Sequence, residues 1–492
     1  MSTTVAASVP ASTSTPVHPP VAPAHARIRE VFERQRATAL RLRTSTAGER
    51  IAKITKLRDA LIARSEEIYA AAHADFRKPP AEVDLAEILP VVMEANDAIA
   101  NLKAWMRPHK VWPTMLTAGT SGYIKYEPRG RCLIISPWNY PVNLTFGPLV
   151  SALAAGNAVI LKPSEMTPNL AATMTKLVGE LFPEDEVAIF EGDATVSQAL
   201  LELPFDHIFF TGSPAIGKVV MAAAAKHLTS VTLELGGKSP TIVDETADLD
   251  LAVQNILWGK YANDGQTCIA PDHIYVHESV KDAFVTKCRA VLEKAYGADA
   301  EAQKQSPHLA RIVNRRHTER IKALLEDAKA RGARVLVGGT VSEAESFIAP
   351  TLLDNIAPDA KINGEEIFGP LLPIYGFTNL DEVIARINAD PKPLALYLFS
   401  RSNTTIDRVM GETSSGGACI NHSLVQYLHG RLPFGGVNNS GIGNAHGHFG
   451  FKTFSHERAV VRTRVSFAAK LLAPGAMPDT LRNALRRLLK WL

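Results

Sequence analysis

The sequence predicts an α/β protein: a doubly wound parallel sheet followed by a second α/β unit. Three observations carry that prediction. Between Cys132 and Leu233, short apolar runs alternate with segments of helical periodicity. Runs such as Ala158-Val159-Ile160-Leu161 are apolar throughout, as in strands covered on both faces. A second alternating region follows Gly236. The 492 residues, 46% hydrophobic and 21% charged, suffice for two or three domains with large cores.

Residues 1–26 are rich in Ser, Thr, Ala and Pro and carry no Asp, Glu, Lys or Arg. They predict a disordered tail rather than a secretory signal. From Arg36 to Lys110 the pattern is helical, with Leu57, Leu61, Ile68 and Ala72 on one face. A β-rich stretch follows at 122–127. The first alternating region predicts strands at 132–135, 158–161, 187–190, 207–210 and 231–233. Helices are expected between them at 145–155, 169–181, 196–201 and 215–225. Beyond Gly236, helices are expected at 249–260, 280–296 and 308–330. Strands are expected at 274–276, 334–337, 371–375, 394–399 and 417–420. Leu432–Gly450, rich in Gly, Asn and His, reads as loop, and 460–465 as a final extended arm. From Pro478 the chain reads PDTLRNALRRLLKWL, a short cationic amphipathic helix. It suits docking on its own protein, on a sister subunit, or on an anionic membrane surface.

Lys+Arg 53 against Asp+Glu 50 leaves a net charge of +3, without the basic excess of a nucleic-acid binder. No run of about 18 apolar residues suggests a membrane span. The four cysteines, Cys132, Cys268, Cys288 and Cys419, are too few and too dispersed for a disulfide framework or a zinc pair. No metal site is expected, and a reduced, cytoplasmic setting is.

Cys132, Cys288 and Cys419 sit in apolar or helical segments and read as core. Cys268 lies in the polar loop YANDGQTCIAPD, where backbone amides can favour a thiolate. Glu234 ends an apolar strand in VTLELGGKSP, and a carboxylate there needs a task or a partner. Asn139, in ISPWNYP, follows a strand; its amide is a turn former or a donor to a developing oxyanion. Lys162 and Glu165, in LKPSEMTP, follow another strand, where an open α/β sheet binds ligands; a carboxylate there accepts from ribose hydroxyls. Gly212 and Gly217, in FFTGSPAIGK, open a helix that could hold a phosphate. Val219 replaces the Ser or Thr that a P-loop needs. Glu366 and Phe368, in NGEEIFGPLLP, suit a second ribose and a flat ring, or a surface turn with a buried Phe.

Together and in this order, PWN, KPSE, FTGS, LELGGKSP, GQ-x-C, E-x-FGP and PFGG resemble the NAD(P)-dependent aldehyde dehydrogenase superfamily over residues 30–465. PWNYP, GQTCIAPD and NNSGIGNAHGHFGFKTFSH are similar to the class 3 branch and its bacterial coniferyl-aldehyde-dehydrogenase relatives. The resemblance implies Cys268 as nucleophile, Glu234 as general base and Asn139 as oxyanion donor. It implies Lys162 and Glu165 at the adenosine ribose, Gly212, Ser213 and Gly217 at the pyrophosphate, Glu366 at the nicotinamide ribose, and Phe368 and Trp138 beside the cofactor. After the tail that composition gives at 1–26, it implies a dinucleotide-binding domain at 27–107 and 132–235 and a catalytic domain at 236–429. An oligomerisation arm would comprise 108–131 and 430–466, with the basic segment at 467–492. The expected reaction oxidises an aromatic or medium- to long-chain aldehyde to the acid with NAD, NADP being the variant cofactor, in a homodimer. The competing readings are acyl transfer to coenzyme A and a non-catalytic protein keeping the fold. His273, where the branch often has Tyr, and the long N-terminal tail depart from the pattern.

Overall fold

The computed structural model describes residues 23–114, 117–463 and 477–490. Its first layer is helical. Helices Pro23–Leu42, Ala47–Ala63, Ser65–Phe76 and Leu89–Trp105 precede the main sheet. Thr46 and Glu49 close a capping box at the second of these. Its Ile54, Leu57 and Leu61 are fully buried, one apolar stripe at helical spacing. They pack in one core with Val91, Phe146 and Leu149, each contributing about 1.5–3 kcal/mol by burial. Two expectations change here. The first helix already includes Pro23, so residues 23–26 belong to it and not to the tail; residues 1–22 lie outside the described residues. The helical run ends at Trp105, and His109–Val111 is a strand.

The six-stranded sheet has the order 441–442, 230–234, 207–211, 131–135, 158–162, 187–189. All pairs are parallel except Gly441–Ile442 against Leu233–Glu234. From the central strand Arg131–Ile135 the chain winds outward one way through 158–162 and 187–189. It then returns to build the other side. Such a reversal opens a crevice beyond the carboxyl ends of the strands. The crossover helix Pro141–Ala155 starts on a proline and stops at Gly156, whose φ of 90° suits glycine.

The seven-stranded sheet has the order 334–337, 351–354, 371–377, 273–277, 240–243, 395–399, 417–420. Only its first pair is antiparallel. The helix expected over 308–330 begins at Arg315, capped by Asn314. Residues 311–312 donate their backbone amides elsewhere, to the carbonyls of Phe76 and Ser346. Strands Pro240–Val243 and Thr351–Asp354 and helices Leu380–Ala389 and Asn403–Glu412 were not expected from the sequence. The expected loop 432–450 contains strand Gly441–Ile442 and the start of helix Gly447–Thr453.

A third sheet joins His109–Val111, Thr120–Pro128 and Ser455–Thr463, the last two paired antiparallel over nine residues. The expected extended arm thus starts earlier, at Ser455; residues 464–465 lie outside the described residues. The terminal helix spans Asp479–Leu488. Among the described residues, no helix is long and apolar enough to cross a membrane.

Candidate active site

The carboxyl ends of the central strands bring the sequence motifs together. Ile135 pairs with Lys162, and Thr211 with Glu234. The segments that follow, 136–139, 163–165 and 212–213, therefore leave the sheet on one edge. Glu234 is held there by Gly212 N–H donating to its carbonyl at 3.0 Å.

Cys268 and Glu234 line the same cavity of about 230 Å³. Cys268 is partly open to that cavity. Burial, and then the carboxylates of Glu366 and Glu234, push its thiol up to about 12. The N–H groups of Cys268 and Ile269 point at the sulfur and oppose this. Glu234 is buried, and neither carboxylate oxygen has a hydrogen-bond partner. Burial alone holds its pKa far above the ordinary carboxylate range. Glu234 is thus a buried, unpartnered carboxyl on the cavity that Cys268 also lines.

Asn139 is buried and reaches the same loop from the other side. Its side-chain amide donates to the Gln266 carbonyl at 3.0 Å, two residues before Cys268. The loop itself is tightly bent. Asn263 and Asp264 both have φ of 53° and Gly265 has φ of 78°. A Cβ on Gly265 would lie 2.3 Å from the Gly369 carbonyl oxygen, so the turn that delivers Cys268 requires glycine.

Lys162, Glu165, Gly212 and Ser213 stand at or just past the carboxyl ends of neighbouring strands. The Lys162 amine is buried, donates to the Pro163 carbonyl at 2.7 Å and lies 3.6 Å from Glu165. Burial lowers its pKa. Ser213 caps helix Pro214–Ala225, accepting from Ile216 N–H. Gly212 leaves no room for a Cβ, which would lie 2.5 Å from the Phe210 ring. Gly217 lets the helix close on Leu235, at 2.8 Å from its would-be Cβ. Trp138 and Phe368 meet edge to face at 5.3 Å. Phe368 has φ of 48°, a strained conformation for a bulky residue. Glu366 presses on Gly236, and burial, then Asp272, pushes it up to about 8. A buried amine, a helix start capped by a hydroxyl and a glycine-lined strand end fit a dinucleotide's ribose and phosphates.

The sequence did not reveal the cavity walls. Met93, Leu144, Tyr427, Phe434 and Phe454 come from five separate segments, and no linear spacing links them. Nor did it reveal Lys78 and Glu87, fully buried and paired at 2.7 Å, behind Asn139. The local sequence does not single the pair out, since Arg77, Glu82 and Asp84 stand beside them.

The sequence model of the aldehyde dehydrogenase family matches residues 2–460. The chain belongs to that family. The enzyme is 44% identical to aldehyde dehydrogenase family 3 member A2 of Pongo abelii, over 88% of this chain and 86% of the relative. It is 44% identical to the 4,4'-diaponeurosporen-aldehyde dehydrogenase of Staphylococcus aureus, over 83% and 88%. Its fold matches the solved substrate-bound state of Staphylococcus aureus AldH with a TM-score of 0.88 and 40% identity, over 93% of this chain and 99% of that one. It also matches a Burkholderia pseudomallei succinate-semialdehyde dehydrogenase, with a TM-score of 0.81 and 30% identity, over 89% and 90%. The protein is thus an aldehyde dehydrogenase of class 3 affinity, oxidising an aldehyde to its acid with a nicotinamide dinucleotide cofactor.

Proposed function

We propose that the dehydrogenase oxidises apolar aldehydes, aromatic or medium- to long-chain, through a covalent adduct on Cys268. The observation that carries the substrate class is the cavity wall: Met93, Leu144, Phe434 and Phe454 surround the space in front of Cys268. Apolar walls favour a hydrocarbon substituent over a hydrated one. One relative is named for a 4,4'-diaponeurosporen-aldehyde, in keeping with this reading.

In the proposed mechanism the Cys268 thiol gives up its proton to solvent, and the thiolate sulfur bonds to the carbonyl carbon as the carbonyl π pair moves onto oxygen. The Asn139 amide and the Cys268 N–H meet the negative oxygen; one such donor is worth about 3–4 kcal/mol. When bound, the nicotinamide supplies the hydride acceptor that makes the sulfur adduct a thioester. Lys162, Glu165, Gly212, Ser213, Gly217, Glu366, Trp138 and Phe368 would hold it. Glu234 then takes a proton from water, the water oxygen bonds to the acyl carbon, the C–S bond breaks and the acid leaves. A water-activating carboxylate argues against transfer to coenzyme A. Glu165 would repel a 2′-phosphate, which favours NAD over NADP.

We read residues 27–107 and 132–235 as the dinucleotide-binding domain and 236–429 as the catalytic domain, with 108–131 and 430–466 as the arm joining two subunits. Exposed Ile216, Val219 and Met221 on helix Pro214–Ala225 support a homodimer. The terminal helix exposes Arg482, Arg486 and Arg487, which supports peripheral contact with an anionic membrane. Four unpaired cysteines suit a reducing compartment such as the cytoplasm.

The test is a panel of aliphatic and aromatic aldehydes compared by kcat/KM with NAD and NADP. Values should climb with apolar chain length and favour NAD. Preference for short, charged semialdehydes would overturn the substrate reading.

A further inference from the structure

We propose that the buried Lys78–Glu87 pair positions the oxyanion donor, setting where the Asn139 amide meets the reacting oxygen. The proposal rests on the reading of Asn139 given above.

Lys78 and Glu87 both have fully buried side chains. The Lys78 amine donates to Glu87 Oε1 at 2.7 Å and to the Asn139 main-chain carbonyl at 2.8 Å. It also lies 4.3 Å from the centre of the Tyr140 ring and 4.7 Å from that of Phe76. The other Glu87 oxygen accepts from the N–H groups of Val142 and Asn143, at 3.0 and 3.1 Å. One ion pair therefore grips the turn at both ends: the carbonyl of Asn139 and the first free amides of the helix after it. The backbone leading into the turn is the carboxyl end of the central strand Arg131–Ile135. The side chain between these grips is the amide that faces the nucleophile loop.

The same Asn139 carbonyl also accepts from Asn263 Nδ2 at 2.9 Å. Asn263 belongs to the strained turn ahead of Cys268. Lys78 and Asn263 thus share one acceptor, coupling the height of the donor to that of the sulfur. A buried ion pair is a poor source of stability, because desolvating both charges offsets their attraction. It is a good source of fixed geometry, because both charges are buried away from water and held by short, directional bonds. A reacting group misplaced by about 1 Å can cost about 10²-fold in rate.

The test is a double-mutant cycle on the full-length enzyme. Lys78→Met with Glu87→Gln replaces the pair by groups of similar volume and keeps an acceptor for Val142 and Asn143. Asn139→Ala removes the donor. We expect the Lys78→Met/Glu87→Gln enzyme to lose at least about tenfold in kcat, with NADH affinity by fluorescence titration unchanged. In the Asn139→Ala background the same replacement should cost no more than about twofold. An equal loss in both backgrounds would make the pair a structural element only, and an unchanged kcat would dismiss it. If Asn139→Ala alone leaves kcat intact, the oxyanion reading itself fails, and the proposal with it. Should the paired variant not fold, Glu87→Gln alone runs the same cycle, with at least threefold expected.

Discussion

Glu234 is the residue whose chemistry the environment sets most plainly. Burial raises its pKa far above the usual range, and no hydrogen bond offsets that. A base must be unprotonated to work, so deprotonated Glu234 becomes available only as pH rises through the raised value. The prediction is a thioester-hydrolysis rate that increases with pH above the ordinary carboxylate range; Glu234→Gln should remove this limb. Stopped-flow single-turnover rates between pH 6 and 9 measure it, and a flat wild-type profile would contradict the assignment. Gly236 offers a second test. A Cβ there would lie 2.1 Å from Glu366 Oε2, the end of a movable side chain. Gly236→Ala should therefore fold normally but displace the Glu366 carboxylate. Loss of one charged hydrogen bond should weaken NADH binding about tenfold, read by fluorescence titration. An unchanged Kd would remove Glu366 from the ribose.

Helix Ala47–Ala63 illustrates what was legible at the scale of one element. Leu57 and Leu61 stood four apart among Arg and Lys, and both are fully buried. Leu61→Ala should cost about 2–5 kcal/mol, seen as a lower urea midpoint with unchanged slope; a shift below 1 kcal/mol would mean the site collapses freely. The continuously apolar strands were equally readable, since burial on both faces needs no partner to declare itself. Pro240–Val243 was not, because its Pro240 and Thr241 break the apolar run. Thr351–Asp354 was hidden for the same reason, with Thr and Asp at its ends. The helix expected from His308 starts seven residues late because Arg311 and Ile312 spend their amides on distant carbonyls. Such tertiary competition leaves no periodic trace.

At the scale of the whole molecule, the strand ends carrying Asn139, Lys162, Gly212 and Glu234 converge because one sheet reverses direction at Arg131–Ile135. Motif order foretold this convergence. The cavity walls, by contrast, come from helices and loops hundreds of residues apart, and their meeting depends on how the layers pack. Packing also sets acid stability. His207 is buried, and burial, then Arg129, brings it down to about 3. Between that value and the unfolded 6.5, the unfolded chain binds more protons, so stability falls as pH drops through this window. His207→Gln should lose less stability between pH 7 and 4.5 than the wild type in urea unfolding. Equal losses would mean other groups govern the acid limb.

Central to all of this is the formation of a thioester on a single sulfur, by addition to the aldehyde and oxidation of the adduct. The most direct measurement mixes Glu234→Gln enzyme with aldehyde and NAD, quenches in acid and maps the adduct by peptide mass spectrometry. The expected result is a gain equal to the aldehyde less two hydrogens on the peptide containing Cys268, absent without cofactor. No adduct, or one on Cys132, Cys288 or Cys419 instead, would contradict the account.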